Sequence, residues 1–131
     1  EGNYKIVDIN GDKIPELLVV GLNGKSYIYT YKTQKNKMKK LKSQELLQMD
    51  SLRPRLYYSA QKHKVVLMSA NPSSMTFVTY KYKGKKIKKE STLVNVFGKN
   101  YRRGYVYNGK YISSKLGKKK VNKILKYNKL Q

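Results

Sequence analysis

An internal repeat with a period of 49 residues limits the possible folds of this chain more than any other feature of its sequence. Under this shift, Glu16–Lys40 falls on Val65–Lys89. Identical residues then coincide at Leu18 and Leu67, Thr30 and Thr79, Tyr31 and Tyr80, and Lys32 and Lys81, as well as at three further lysine pairs. Each copy runs from an apolar strand through a polar turn to an aromatic strand, and then through a second turn to a basic strand. This order predicts two copies of one antiparallel β-meander.

Each copy is predicted to contain four strands, because a further strand precedes each aligned segment. The first copy, residues 4–44, has the predicted strands Tyr4–Ile9, Glu16–Gly21, Ser26–Thr33 and Lys37–Gln44. The second copy, residues 53–94, has the predicted strands Arg53–Tyr58, Lys64–Ala70, Met75–Lys83 and Lys85–Val94. A period near 50 residues with four strands is typical of a β-propeller blade.

The remainder of the chain adds two smaller elements. Residues 103–116 are predicted to form a partial third hairpin around the turn Asn108-Gly109. Val121, Ile124 and Leu125 lie at helical spacing, which predicts a short C-terminal helix over residues 121–130 with Asn122 as its N-cap. We expect this helix to cap an open sheet rather than to bind a membrane. Residues 1–131 are thus expected to form a single, mainly β domain. Two blades cannot close a propeller, so face-to-face packing and membership of a longer chain both stay open.

The charge of the chain points to a polyanionic partner. Its 30 Lys and Arg residues against 7 Asp and Glu residues give a formal net charge of +23. Lysine dominates, which favours a diffuse, salt-sensitive attraction over base recognition by arginine. A solubilising lysine coat is the alternative. The candidate polyanion-binding residues are Lys37, Lys39, Lys40, Lys85, Lys86, Lys88 and Lys89. No apolar run is long enough to span a membrane.

Three of the seven acidic residues fall within the nine-residue stretch DINGDKIPE, residues 8–16. The stretch places oxygen ligands at alternate positions, which is the spacing of a Ca²⁺-binding loop. These candidate ligands are Asp8, Asn10, Asp12, the carbonyl of Ile14, and Glu16. An EF-hand is excluded, because its twelfth position would be Val19 and a strand follows the loop. The alternative is a hairpin turn with solvated acids.

The second copy has no acidic residue at the corresponding positions. Asp8, Asn10, Asp12 and Glu16 fall there on Tyr57, Ser59, Gln61 and Val65. The turn therefore does not need acids, which favours a specialised role for those in the first copy.

Asp8, Asn10, Gly11, Asp12, Glu16 and Leu17, with the apolar strands on either side, resemble the calcium-binding loops of FG-GAP or VCBS-type repeats. The segment is most similar to versions in secreted or surface proteins of gut Firmicutes. The resemblance implies blade-like β structure, an extracellular location and Ca²⁺ as a structural brace. Lys13 stands where the family usually has glycine, and its backbone strain and charge would both weaken cation binding.

The sequence predicts a non-enzymatic secreted or cell-surface module for binding or adhesion, with its lysines attracting acidic glycans or cell-wall polymers. A nucleic-acid-binding protein that uses a Tyr/Lys sheet face is the alternative, and a structural spacer in a larger surface protein is a third interpretation. The single histidine, His63, lacks neighbouring partners for catalysis and is expected to be a surface turn residue.

Overall fold

The computed structural model describes residues 2–21, 26–32, 37–40, 55–84 and 86–130, and antiparallel β-strands dominate it. The first copy of the repeat forms a four-stranded sheet, called here the N-terminal sheet, with neighbouring strands consecutive in the chain. Its strands are β1 (Gly2–Val7), β2 (Glu16–Gly21), β3 (Ser26–Lys32) and β4 (Lys37–Lys40). The predicted four-stranded meander of this copy is confirmed, while residues 41–44 lie outside the described residues.

The second copy forms the middle of a seven-stranded sheet, called here the central sheet. Its meander consists of β5 (Arg55–Ser59), β6 (Lys64–Asn71), β7 (Ser74–Lys83) and β8 (Lys86–Val96). The hairpin of β9 (Gly104–Tyr107) and β10 (Lys110–Ile112) joins beside β8. It therefore adds two strands to the central sheet instead of beginning a separate third sheet. The strand order is β10-β9-β8-β7-β6-β5-β11, where β11 is Asn128–Leu130.

The two sheets share one apolar core because alternate residues of their strands face each other. Glu16, Leu18 and Val20 are the buried residues of β2, and Leu17 and Val19 between them are half-buried. The central sheet contributes Leu56 and Tyr58 of β5, Val65 of β6, Tyr82 of β7 and Leu130 of β11. The loop residue Ile9, which is fully buried, closes the same core.

A helix covers the opposite face of the central sheet. Helix α1, Ser114–Leu125, buries Ile124 against a cluster that includes Tyr57 and Phe77. The molecule is therefore layered as sheet, sheet and helix. No helix in the described part of the chain has both the length and the apolar character needed to cross a membrane.

The predicted bounds of the helix, 121–130, are wrong at both ends. The helix starts at Ser114 because the hydroxyl of Ser113 accepts the N–H of Leu116 at 3.2 Å and caps it, so Asn122 is an interior residue and not the N-cap. It ends at Leu125, because residues 128–130 pair with β5 as strand β11.

Candidate cation and polyanion sites

The loop between β1 and β2, residues 8–15 and called here the acidic loop, is organised around the carboxylate of Asp8. Its two oxygens accept the N–H groups of Gly11 at 2.9 Å and Lys13 at 2.8 Å. Both donors have left-handed backbone conformations, with φ of 79° at Gly11 and 68° at Lys13. Asp8 therefore draws the backbone around itself in a tight turn.

Asp12 and Asn10 form a second set of contacts inside the loop. One oxygen of Asp12 accepts the N–H of Ile14 at 2.9 Å, and the other accepts the side-chain amide of Asn10 at 3.2 Å. The Asn10 side-chain oxygen in turn accepts the N–H of Asp12 at 3.2 Å. Asn10 and Ile14 thus both contact Asp12, while coordination through their oxygens stays a prediction. Each carboxylate oxygen has a second lone pair, so these bonds leave capacity for a cation.

Glu16 reaches into the loop from the start of β2 and is fully buried. It accepts the N–H of Ile9 at 2.9 Å, and the hydroxyl of Thr30 donates to its other oxygen at 3.4 Å. Burial raises the pKa of Glu16, and the charges of Asp12 and Asp8 raise it further, while the bond from Ile9 works in the opposite direction. A cation beside this carboxylate would offset its desolvation.

The three acids lie close enough together to hold a metal ion. One oxygen each of Asp8, Asp12 and Glu16 lies within 4.8 Å of the others. Oxygens on opposite sides of one Ca²⁺ ion are about 4.6–5.2 Å apart, twice the usual Ca–O distance. The spacing therefore suits three ligands of a single ion.

The acidic loop also contacts the central sheet, which the sequence did not predict. His63 Nδ1 lies 2.7 Å from the carbonyl oxygen of Ile9, and Gly11 packs beside the same imidazole. His63 is thus half-buried rather than a free surface residue. Its position in the repeat gives a signal, because a shift of 49 places it on Ile14 of the acidic loop. The corresponding turns of the two copies touch each other.

Tyr82 adds a buried polar group near the acids. Its side chain is 4% exposed, and no group in the described part of the chain hydrogen-bonds its hydroxyl. Burial raises the pKa of Tyr82, and the negative charges of Glu16 and Asp12 raise it further. This hydroxyl can donate a hydrogen bond to a ligand or water in the loop region, or accept one from it.

Three of the predicted polyanion-binding lysines have described side chains, and these do not all lie on one side of the central sheet. Strand β4 carries Lys37, Lys39 and Lys40, but its side chains are outside the described residues. The whole of Lys85 is outside them as well. Lys86, Lys88 and Lys89 lie on β8 and are exposed. Lys89 follows Lys88 directly on β8 and lies opposite Tyr80. Because successive side chains of a strand point to opposite faces, Lys89 points to the other side of the sheet from Lys88.

Five lysines share the helix-covered side of the central sheet and are called here the lysine face: Lys64, Lys81, Lys83, Lys86 and Lys88. The strand register places Lys81 opposite both Lys64 and Lys88, and Lys83 opposite Lys86. Directly opposed like charges destabilise a sheet. Lys64 pairs with Glu90 at 2.7 Å, the one salt bridge found among the described residues.

The positive charge continues from this face onto α1. Partial desolvation and the neighbouring charges of Lys123 on the helix and of Lys64 lower the pKa of Lys62, which lies in the turn before β6. The helix has no acidic residue in its first turn, and no acid follows Glu90 in the sequence. Its exposed lysines are Lys115, Lys118, Lys119 and Lys123.

The tyrosines that alternate with these lysines point the other way. Tyr80 and Tyr82 on β7 are 7% and 4% exposed and belong to the apolar clusters on the far side of the sheet. On this strand, aromatic and basic side chains therefore do not share a face.

Comparisons with protein-family models, with curated proteins and with solved structures find no match for this chain. The FG-GAP or VCBS resemblance of the acidic loop accordingly stays a prediction.

Proposed function

We propose that this chain is a non-enzymatic binding module of a secreted or cell-surface bacterial protein, and that its lysine face binds acidic glycans or cell-wall polymers. The observation that carries the proposal is the register of β6, β7 and β8, which places lysines directly opposite one another. A solubilising coat would not require opposed lysines, and the repulsion between them weakens the fold. A polyanion that bridges Lys81, Lys83, Lys86 and Lys88 would relieve this repulsion.

The geometry favours a glycan or cell-wall polymer over single-stranded nucleic acid. Binding of single strands combines basic side chains with aromatic rings on which bases stack. The lysine face lacks this combination on β7, because Tyr80 and Tyr82 are buried on the opposite side. Four of the five lysines of this face have no acidic partner among the described residues, so they are available to anionic groups of a flexible polymer.

The acidic loop is proposed to bind Ca²⁺ as a structural brace. Asp8, Asp12 and Glu16 supply carboxylate oxygens at a suitable spacing, and Asn10 and the Ile14 carbonyl are proposed as further ligands. A Kd of about 0.1–1 mM is typical of extracellular calcium modules, which suits a loop whose charge is reduced by Lys13. Since Ile9 of the loop contacts His63, an ion here would hold the two sheets together.

Polyanion binding is tested by comparing Lys88→Gln with Lys5→Gln. Each variant loses one positive charge from an exposed strand residue, but Lys5 lies on β1, away from the lysine face. We expect Lys88→Gln to weaken binding to polygalacturonate several-fold more than Lys5→Gln does, and to raise the melting temperature because an opposed charge is removed. Affinity should fall steeply with salt. Equal losses in both variants would show a non-specific coat, and stronger binding to oligothymidylate would support the nucleic-acid alternative.

Calcium binding is tested by thermal unfolding in 10 mM Ca²⁺ and in chelator. For a site with a Kd of about 1 mM, Ca²⁺ at about 10 mM should add about 1.4 kcal/mol to the free energy of unfolding. Asp8→Asn combined with Asp12→Asn should abolish this gain, whereas Glu90→Gln, which removes an acid outside the loop, should retain it. A calcium shift that survives the double change would rule out this site.

A further inference from the structure

A separate cleft of about 480 Å³ opens at the other end of the central sheet. One wall is the turn between β6 and β7, which includes Asn71 and Ser74, and the other carries Arg102 and Tyr111. Its floor is formed by Val94 and Val96 of β8. The register places these valines on the side of the central sheet away from the helix, the side that the N-terminal sheet covers elsewhere.

Arg102 is held in a fixed orientation at this cleft. Its guanidinium lies 3.8 Å from the centre of the Tyr111 ring, and the Tyr111 hydroxyl donates to the backbone carbonyl of Arg102 at 2.8 Å. Gly104, with φ of 139°, brings its backbone against the same ring. The Tyr111 ring thus contacts both Gly104 and the guanidinium, and the stack restricts Arg102 before any ligand binds, so less conformational freedom is lost on binding.

The donors of this guanidinium remain available. Within the described ranges, no Asp or Glu lies within salt-bridge distance of Arg102, and the one hydrogen bond found for Arg102 there involves its backbone oxygen and not its guanidinium. Arg103 and Lys99 nearby in the chain add positive charge. A planar guanidinium that is fixed and unpaired suits a carboxylate or sulfate, which it can bind through two parallel hydrogen bonds.

The rest of the cleft suits one ring-shaped ligand. Tyr101 is 64% exposed at the rim and offers a free aromatic surface. The opposite wall is rigid, because the Asn71 side-chain oxygen accepts the N–H groups of Ser73 and Ser74 at 2.8 Å, and the Ser73 carbonyl accepts two further N–H groups, from Phe97 and Gly98, at 3.0 Å. Hydroxyl and amide groups on this wall can meet sugar hydroxyls.

We propose that this cleft binds a single anionic sugar unit, with its carboxylate or sulfate on Arg102 and its ring against Tyr101. The inference deepens the proposed polyanion-binding function, on which it rests, by adding a recognition site to the diffuse attraction of the lysine face. Single-stranded nucleic acid normally stacks several bases on several rings. Here Tyr111 is occupied by Arg102 and Gly104, so Tyr101 is the free ring, which matches one sugar better than a run of bases.

The test measures binding of tetragalacturonic acid by calorimetry or by NMR titration, with a neutral galactose tetramer as the control ligand. Arg102→Lys keeps the charge but loses the planar fork and the stack on Tyr111, so affinity should fall about tenfold. Tyr101→Ala, at an exposed position, should give a similar loss without lowering the melting temperature. Arg103→Lys makes the same change at the neighbouring exposed arginine and should alter affinity less than about twofold.

The outcomes separate this inference from the function on which it rests. Equal effects of Arg102→Lys and Arg103→Lys, or equal binding of the neutral tetramer, would overturn the cleft assignment. If polygalacturonate binds in a salt-dependent manner but the tetramer does not, the cleft fails and the lysine face stands. If neither binds, both fail. Tighter binding of tetrathymidylate than of the sugar, lost in Arg102→Lys, would overturn the sugar assignment.

Discussion

Lys13 is unfavourable in the acidic loop in two ways. Its φ of 68° lies in the left-handed region, which costs a non-glycine residue about 1 kcal/mol, and its ammonium adds positive charge beside Asp8 and Asp12. Its N–H nevertheless bonds to Asp8, so the backbone conformation is needed even though the side chain is unfavourable.

Replacing Lys13 therefore separates the two effects. Lys13→Gly should raise the free energy of unfolding by up to about 1 kcal/mol in chelator, because glycine adopts positive φ without strain. Lys13→Asn, which also tolerates this conformation, should recover part of the same gain. Both variants should bind Ca²⁺ more tightly than the wild type because a competing charge is gone. Calcium titrations followed by thermal unfolding measure both quantities, and unchanged calcium affinity in both variants would contradict the proposed location of the ion.

Glu16 should make stability depend on pH. Because burial raises its pKa above the ordinary value of 4.5, the folded state holds the proton more tightly than the unfolded state. The free energy of unfolding should thus fall as the pH rises from 4.5 through the folded-state pKa, and should then stay at the lower level.

Glu16→Gln should remove this contribution, since the neutral side chain can still accept the N–H of Ile9. In chelator at neutral pH the variant should be at least as stable as the wild type, yet Ca²⁺ should no longer stabilise it. Urea unfolding across the acid-to-neutral range, with and without Ca²⁺, measures both effects. A wild type and variant with the same pH slope would show that Glu16 is not the group responsible.

The sequence was sufficient to locate the acidic loop but not its surroundings. Asp8, Asp12 and Glu16 follow a local spacing, and local hydrogen bonds fix their geometry. His63 and Tyr82 reach the same region from the other copy of the repeat, through tertiary packing that no local pattern encodes. The repeat alignment pairs the two turns, yet only the packing of the sheets shows that they touch.

At the scale of elements, Gly117 fixes how closely α1 packs on the sheet, and it lies in the part of the helix that the sequence did not predict. It lies buried within α1, directly over Tyr105 of β9. The apolar spacing that predicted the helix begins only at Val121, and the glycine within the preceding run of lysines has a low helix propensity. Close packing against Tyr105 overrides the propensity.

Gly117→Ala should therefore destabilise the protein, although alanine is the better helix former. A Cβ atom here would lie 2.6 Å from Tyr105 Cβ and closer still to the ring, so helix and sheet would have to separate. We expect a loss of about 1–3 kcal/mol in chemical unfolding. Asn122→Ala, at an exposed position of the same helix, is the matched control and should be neutral or slightly stabilising. Stabilisation by both changes would show that α1 does not pack on β9.

The strand pattern predicted the two meanders correctly because alternation is a local signal. It did not predict that β9 and β10 extend the central sheet, since this depends on the free edge of β8 from Leu93 to Val96. Likewise, the predicted helix extended to residue 130, but the backbone of Asn128–Leu130 pairs with β5 at the other edge of the sheet. This segment pairs with an available sheet edge instead of continuing the helix.

At the scale of the molecule, the two sheets depend on each other through one core. Ile9 and Leu18 of the N-terminal sheet and its loop meet Leu56 and Val65 of the central sheet. Leu130, the last described residue, fills the same core. A cation in the acidic loop and the C-terminal strand would therefore stabilise one cooperative unit, although they lie at opposite ends of the sequence.

This coupling predicts the behaviour of Leu130→Ala. The side chain is 7% exposed and lies opposite Leu56, so its truncation should cost about 2–5 kcal/mol. Leu125→Ala is the control, because Leu125 on α1 is 50% exposed. This change should cost well under about 1 kcal/mol. Far-UV and near-UV circular dichroism should report one coincident transition in each variant, and Ca²⁺ should shift both signals together. Two separated transitions, with calcium moving only one of them, would show that the sheets fold independently and that the ion braces the N-terminal sheet alone.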